Sequence, residues 1–310
     1  MALVPIPSSI LDRLGKLIFS FLWGSTHQHK KFHLVDWHLL ARPCILGGWG
    51  IKHLHCFSLS LRMKNFWYAL NSTGIWYHLI SSKYMRNMPL HSWLRKKKFC
   101  YGATSPIWKG FLKTLPWIGR GILWQVGCGS EIIIGVDPVA GMHSSFTLPA
   151  EMREYLADYG ISTLDQARNH TSIADGYWFT AEELDLCAEW KSLCNSYING
   201  LEFNRIRLKD SPDSLIWSHS NFVGQISAAK GYECIFVDFV AGVHSPVIDS
   251  LWKVNIPLKL VCFCWLLVNG KILTWDHLQR RKIVGPSWCS LYKDNEESTN
   301  HLFVEIEPKC

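Results

Sequence analysis

Apolar residues recur at helical spacing in several separate segments of this chain. In residues 10–22, Ile, Leu and Phe stand three or four positions apart, which predicts an amphipathic helix. Ser9 and Asp12 resemble a capping box at its start, and Gly24 marks its end. This helix either packs its apolar face on a core or presents it to a membrane or a partner. The same spacing predicts further helices over residues 32–40, 58–70, 76–84, 180–194, 259–268 and 274–278.

Strand signals are fewer and shorter. Apolar residues alternate around a turn in residues 124–136, and a short apolar run at 215–217 follows the turn formed by residues 211–214. The 259–268 segment is almost entirely apolar, so its helix is expected to be buried. We therefore expect a mainly α fold with short β-hairpins (α+β), in which a helical region is followed by a small helical module.

The composition supports a folded core. Hydrophobic residues make up 48% of the 310 positions and charged residues 18%, which excludes wholesale disorder. The 22 Gly and 13 Pro exclude a collagen-like chain, and the length fits about two domains. The eleven Cys form no framework-like spacing, which indicates reduced thiols rather than a disulfide scaffold.

No segment is expected to enter a membrane or to direct secretion. The longest apolar run, Leu260–Val268, is far shorter than the roughly 20 residues that a bilayer needs. Asp12, Arg13 and Lys16 interrupt the apolar N-terminal stretch, which therefore lacks the order of a secretory signal. We expect a soluble intracellular protein, and the sequence does not distinguish nucleus from cytoplasm.

The net charge of +7 permits a polyanionic partner. Residues 52–120 contain no carboxylate, so we predict that the cations of this stretch do not all pair locally. Two basic runs either contact phosphates of RNA or DNA, with nearby Trp and Phe stacking on bases, or form solvated faces. These runs are Arg95, Lys96, Lys97 and Lys98, and Arg280, Arg281 and Lys282.

Two glycine motifs predict turns. Residues 47–50 hold three glycines around Trp49, where the backbone must turn sharply or be approached closely. Residues 127–129 resemble the start of a dinucleotide-binding loop, but position 132 is Ile instead of Gly. We therefore predict a turn between two short strands there and no phosphate cradle.

Pieces of the sequence, taken in order, resemble the C-terminal part of plant LINE-type (non-LTR) retrotransposon reverse transcriptases, downstream of the polymerase centre. Each piece alone is weak, but they are collinear and span most of the chain except residues 141–210. The matching pieces are residues 18–24 (IFSFLWG), 33–37, 47–51, 76–84, 119–120, 124–129, 213–232 and 252–281.

The resemblance implies a division of the chain. Residues 1–140 resemble the post-polymerase (thumb or connection) part of such a reverse transcriptase. Residues 141–210 are interpreted as a helical connector. Residues 211–310 resemble a truncated reverse transcriptase zinc-binding domain, with zinc as the implied cofactor and nucleic acid as the implied partner.

The zinc motif of that family departs from its pattern here. Cys289 and His301 match two of the four ligands, whereas Tyr292 and Ile306 stand where two further Cys belong. A structural zinc site needs four N or S donors in a tetrahedron, so we expect that zinc binding has been lost. The alternative is a rescued site in which Cys310 supplies a third ligand and Asp294 or Glu297 lends an oxygen.

Three functional hypotheses follow from the sequence. The first is a non-catalytic retroelement fragment that binds nucleic acid, because the paired-Asp polymerase motif, the endonuclease part and the ribonuclease H carboxylates are absent. The second is a structural remnant without activity. The third, least favoured, is a Cys/His enzyme. His53 and His55 lie without further ligands nearby in sequence, so we predict packing or surface roles for them.

Overall fold

A computed structural model describes most of the chain. It covers residues 5–24, 33–72, 74–96, 105–142, 147–169, 177–239, 246–289, 293 and 295–303. Within these ranges the protein is mainly helical with one small antiparallel sheet, which confirms the predicted fold class. None of the helices in these ranges is both long enough and apolar enough to span a bilayer.

The helices are mostly short. Their bounds are α1 (Ser8–Leu22), α2 (Trp37–Leu40), α3 (Leu54–Asn71), α4 (Ile75–Ile80), α5 (Leu90–Leu94), α6 (Pro106–Leu112), α7 (Leu115–Gly121), α8 (Ala150–Asp158), α9 (Ala188–Phe203), α10 (Ala228–Phe239), α11 (Pro246–Leu251), α12 (Leu258–Val268), α13 (Trp275–Arg280) and α14 (Thr299–Phe303). A 3-10 turn covers Cys44–Leu46, and a π-helical turn covers Ser81–Met85.

The chain forms two compact units that do not follow sequence order. The first unit comprises residues 1–5 and 59–234, and the second comprises residues 6–58 and 235–310. These units differ from the three consecutive segments that the resemblance implies, with boundaries at 141 and 211. That division rests on sequence resemblance and stays a prediction.

The sheet belongs to the first unit. Its strands β1 (Ile122–Gln125), β2 (Ser214–His219) and β3 (Phe222–Gly224) pair antiparallel in the order 1-2-3. Trp217 of β2 is fully buried, and its Nε1–H donates to the carbonyl of Trp117 at 3.3 Å. The 215–217 strand is thereby confirmed. The prediction of two strands within residues 124–136 is wrong, because β1 ends at Gln125 and pairs instead with distant β2.

Stacked aromatic rings fill the core of the first unit. The ring of Phe66 lies 4.8 Å from that of Phe111, nearly parallel, and meets Trp108 edge-on. Trp108 in turn stacks on Tyr84 at 4.4 Å. These side chains come from α3, α6 and the π-helical turn, so aromatic packing ties three local elements together.

The core of the second unit is built around Trp265. This fully buried side chain of α12 packs with Val35, Leu40 and Ile248. Its Nε1–H donates to the carbonyl of Gly47 at 2.8 Å, which satisfies the buried polar atom of the indole. Gly47 has φ +84°, a left-handed conformation that favours glycine. The predicted sharp turn at residues 47–50 is confirmed.

Several helix bounds differ from the predicted ones. The helix predicted over 180–194 begins only at Ala188, although Thr180 and Glu183 form the reciprocal hydrogen bonds of a capping box. The Thr180 backbone N–H, first, and the Thr180 hydroxyl both donate to the Glu183 carboxylate and lower its pKa. The helix predicted over 32–40 is confined to α2, and α1 is preceded by Pro7 rather than capped by Ser9.

Helix α12 is less buried than its composition predicts. Only Val261 and Trp265 are buried, while Leu258 is 68% exposed and Phe263 is also exposed. Pro257 precedes the helix and Gly270 follows it with φ +61°, as expected for its two ends. The expectation of a buried helix is therefore wrong, because one narrow stripe meets the core.

Candidate functional site

A small hairpin near the C-terminus, formed by residues 287–289 and 295–297, carries the first candidate zinc ligand. We call it the tail hairpin. The Cys289 N–H donates to the Asn295 carbonyl and the Glu297 N–H donates to the Ser287 carbonyl, both at 2.9 Å. Trp288 and Glu296 form an antiparallel bridge between these bonds. The hairpin places Cys289 in a buried position.

The tail hairpin is joined to the helices on either side of it. Glu297 accepts the Trp275 N–H at 3.2 Å through Oε1, and its carbonyl accepts the Asp276 N–H at 3.3 Å, so it holds the start of α13. His301, the second candidate ligand, lies on α14, where its N–H donates to Ser298 Oγ at 3.1 Å. The Glu297 carboxylate, proposed as a spare oxygen ligand, is thus bonded to backbone instead.

A basic cluster begins at the last residue of α13. Arg280, Arg281 and Lys282 are all exposed. The Arg281 guanidinium donates to the His33 carbonyl at 3.4 Å. Within the described ranges, Arg280 and Lys282 form no ion pair, so their charges remain available to an anion.

The other basic run is divided. Arg95 pairs with the buried carboxylate of Asp137, and its Nη2 also donates to the Glu131 carbonyl at 2.7 Å. Lys96 is exposed, whereas Lys97 and Lys98 lie outside the described residues. No Asp or Glu lies near Arg95 in the sequence, as expected. In the fold, however, Arg95 pairs with Asp137, which lies 42 residues farther along the chain.

The Gly127–Gly129 turn holds a carboxylate of the protein itself. Asp213 Oδ1 accepts the N–H groups of Gly127 at 2.7 Å and Gly129 at 2.9 Å, while Oδ2 accepts that of Glu131 at 3.1 Å. Convergent backbone N–H groups form an anion-binding nest. Because Asp213 fills this nest, the prediction of a turn without a phosphate role agrees with the geometry. Sequence reasoning missed Asp213, whose only signal is its place in a turn before β2.

Three histidines of the second unit lie close together. The ring of His53 lies 5.6 Å from that of His38 and 5.7 Å from that of His55. His55 Nε2 lies 2.8 Å from Asp12 Oδ1. Burial lowers the pKa of His53, and the neighbouring His38 and His55 lower it further. His53 is buried, which agrees with the packing role predicted for it.

Comparison with known proteins finds a family match that includes the tail hairpin. Residues 227–307 match the sequence profile described as zinc-binding in reverse transcriptase. The C-terminal segment is therefore similar to this family. This reverse transcriptase zinc-binding segment contains the tail hairpin, α12, α13, α14 and the basic cluster. No solved structure matches the chain.

A relative from Arabidopsis thaliana, named "putative ribonuclease H protein", is 26% identical over 313 residues. The match covers 97% of this chain and 47% of the relative, so the chain spans about half the length of that protein. The two matches together are typical of retrotransposon-derived plant proteins.

The donor set of the zinc-binding segment does not fit a closed zinc site. By the motif that the sequence resemblance implies, Cys289 and His301 stand at two expected ligand positions, and Tyr292 and Ile306 stand where two further Cys are expected. In the described part of the chain, no group of three or more His, Cys, Asp or Glu is arranged to hold a metal ion. Asp294 and Cys310, the candidates for a rescued site, lie outside the described residues.

Proposed function

We propose that this chain is a non-catalytic part of a LINE-type (non-LTR) retroelement protein that binds nucleic acid. The main support for this proposal is that Arg280, Arg281 and Lys282 form an exposed cluster within the segment that matches the reverse transcriptase zinc-binding family. Cations grouped on one surface are the electrostatic footprint of phosphate binding. The partner in this proposal is RNA or DNA, without a membrane or a small-molecule substrate, and the protein acts inside the cell.

Binding at this cluster would combine charge with stacking. Arg281 is oriented by its bond to the His33 carbonyl, whereas Arg280 and Lys282 project without an ion pair from the described residues. Trp288, which bridges Glu296 in the tail hairpin, is exposed. Trp288 follows the cluster by six residues in sequence, and an exposed indole offers a flat surface to an unpaired base.

The proposal assigns no chemical step to the chain. The zinc-binding family supplies a binding module, and the match to it ends at residue 307. The name of the Arabidopsis relative describes that longer protein, of which this chain spans about half. We propose that zinc has been lost along with two of its four ligands.

The test is the salt dependence of binding to single-stranded RNA and DNA. The logarithm of affinity should fall linearly with the logarithm of salt concentration. Replacing Arg280, Arg281 and Lys282 together by Gln should flatten that slope by about 2, because each lost phosphate contact removes about 0.7 on a single strand. Gln at Lys253, which is already paired with Asp249, is the matched control.

A second candidate function is a structural remnant without activity. Tyr292 and Ile306 at the ligand positions favour it, because a family module that loses its metal loses a source of folding free energy. This alternative predicts no binding to any nucleic acid at low salt. A triple variant that binds as well as the unchanged chain would also contradict the proposed interface.

A further inference from the structure

We propose that a groove between α3 and α4 in the first unit is a stacking site for an unpaired nucleobase of a single strand. This inference deepens the proposed function and rests on it. The groove has a volume of about 470 Å³, within the range of ligand pockets. Its lining residues are Asn65, Tyr68, Ala69, Ser72, Gly74, Ile75, Trp76 and Phe111.

Two aromatic side chains of this groove stand in solvent. Tyr68 of α3 is 72% exposed and Trp76 of α4 is 48% exposed, and Ile75 and Leu79 beside Trp76 are exposed as well. A cluster of exposed large apolar residues around one groove marks a binding surface. Tyr and Trp rings bind bases through their faces without regard to base identity.

The floor of the groove is tightly packed. Phe111 is buried there, and its ring stacks on Phe66 at 4.8 Å with an angle of 13° between the planes. Phe66 is also fully buried and meets Trp108 edge-on. A base that enters the groove therefore meets a wall that needs no rearrangement, which lowers the entropic cost of binding.

The charges around the groove favour an anionic ligand. None of its lining side chains is acidic, and Asn65 and Ser72 offer polar atoms for the edge of a base. Lys64 precedes Tyr68 by one helical turn on α3 and is exposed, so a cation lies on the same side of the helix. Lys109 and Lys113, which flank Phe111 in sequence, are exposed too.

The wider sequence agrees with an anionic ligand. No Asp or Glu occurs from residue 52 to residue 120, the stretch that supplies every lining residue of the groove. An acidic protein partner would also be attracted, but it would not require flat rings at the centre of the site. The combination of exposed rings, amide and hydroxyl groups and surrounding cations fits a single-stranded nucleic acid.

The experiment measures binding of a fluorescent single-stranded RNA and of the matching duplex to the full chain. Tyr68→Ala and Trp76→Ala should each weaken single-strand binding by about tenfold, in the range of stacking losses, and leave the salt slope unchanged because no cation is removed. Tyr68→Phe and Trp76→Phe keep a ring and should retain most of the affinity. Phe203→Ala, at an exposed aromatic residue of α9 outside the groove, is the control.

A second measurement locates the base directly. An oligonucleotide with 5-iodouridine, cross-linked by light, should attach to Tyr68 or Trp76 when the peptides are mapped by mass spectrometry. Full affinity in both Ala variants, an equal loss on duplex, or cross-links confined to other residues would overturn the groove while leaving the proposed function intact. Absence of any binding at low salt would overturn both. Self-association that the Ala variants abolish would identify a second copy as the occupant and reject the nucleobase.

Discussion

Two loops of this protein are held in place by different kinds of interaction. The glycine loop, residues 127–137, is held by two carboxylates: Asp213 accepts three of its N–H groups, and Asp137 accepts the Ile133 N–H while it pairs with Arg95. The tail hairpin is held by backbone pairing and by Glu297. The resemblance to a zinc-binding family implies a metal at this place, but Tyr292 and Ile306 stand where two of the four expected Cys or His ligands would be.

The two loops therefore differ in which groups stabilise them. In the glycine loop, the groups that fix the turn are side chains of the protein itself, and each is partly or fully removed from water. At the tail hairpin, the Cys289 thiol and the His301 imidazole of α14 are two candidate donors, whereas a closed structural zinc site has four. We therefore expect substitutions in the glycine loop to cost much stability, and the tail hairpin to gain stability when its missing ligands are restored.

The largest effect is expected at Asp137. Asp137→Ala removes the carboxylate partner of Arg95, which keeps only the Glu131 carbonyl as acceptor, and leaves the Ile133 N–H without its acceptor. It should lower the free energy of unfolding by about 3 kcal/mol. Denaturant unfolding followed by circular dichroism measures this loss. Glu131→Ala removes a half-exposed carboxylate paired with His91 and should cost less than about 1 kcal/mol. Equal losses in the two variants would show that burial of the pair does not matter.

The second effect concerns the missing zinc ligands. A chain with Tyr292→Cys and Ile306→Cys should bind one zinc per molecule, since it regains the four donors of its family. At zinc concentrations about one hundred times the dissociation constant, the folded state should gain about 2.7 kcal/mol. Metal analysis and thermal unfolding with and without zinc measure both quantities.

Adding Cys289→Ser to this double variant should abolish the zinc and the gain. The unchanged chain serves as the reference, and we expect no zinc-dependent shift in its unfolding temperature. One zinc per unchanged chain, lost on Cys289→Ser alone, would contradict our interpretation of the tail hairpin.

A smaller loss is expected at Asp213. Asp213→Ala deprives three backbone N–H groups of their acceptor. Gly127 and Gly129 are buried, but Glu131 is exposed and Asp213 is only half-buried, so water can enter the space of the lost carboxylate and replace part of the bonding. We expect a cost of about 2 kcal/mol in denaturant unfolding. Asp210→Ala, at an exposed carboxylate three positions earlier, should have no measurable effect. A comparable cost at Asp210 would mean that net charge, and not the nest, stabilises the loop.

The sequence predicted those helices, strands and turns that are determined by residues close together in the chain. The position of α3 and the turn at Gly47 follow from apolar spacing and from the conformational freedom of glycine, both of which are visible within a few residues. The strand β2 was predicted for the same reason. The pairing of β2 with β1 was not, because β1 ends at Gln125 and β2 begins only at Ser214, far along the chain.

The features that sequence reasoning missed depend on contacts between distant residues. Arg95 belongs to a run without nearby acids, yet its partner Asp137 arrives through the fold. The capping box at Thr180 forms as predicted, but no helix follows until Ala188, because a local hydrogen-bond pattern does not by itself supply the packing that sustains a helix. The roles of Cys289 and His301 as zinc ligands and of the basic cluster in binding phosphates stay predictions, which the metal analysis and the binding measurements test.

The smallest effect is expected from acid at His53. Burial lowers the pKa of His53 in the folded state, and the neighbouring His38 and His55 lower it further. At a pH between this lowered pKa and the ordinary histidine pKa of about 6.5, His53 is therefore more protonated in the unfolded chain than in the folded protein. The stability contributed by neutral His53 is therefore complete above about pH 6.5 and is lost as the pH falls through the lowered pKa. Thermal unfolding at about pH 7.5 and about pH 5.5, on either side of the ordinary histidine pKa, should show a smaller acid-induced drop for His53→Gln than for the unchanged chain. His78→Gln, at an exposed histidine of α4, should keep the full drop, and identical pH profiles for the unchanged chain and His53→Gln would exclude His53 as the titrating group.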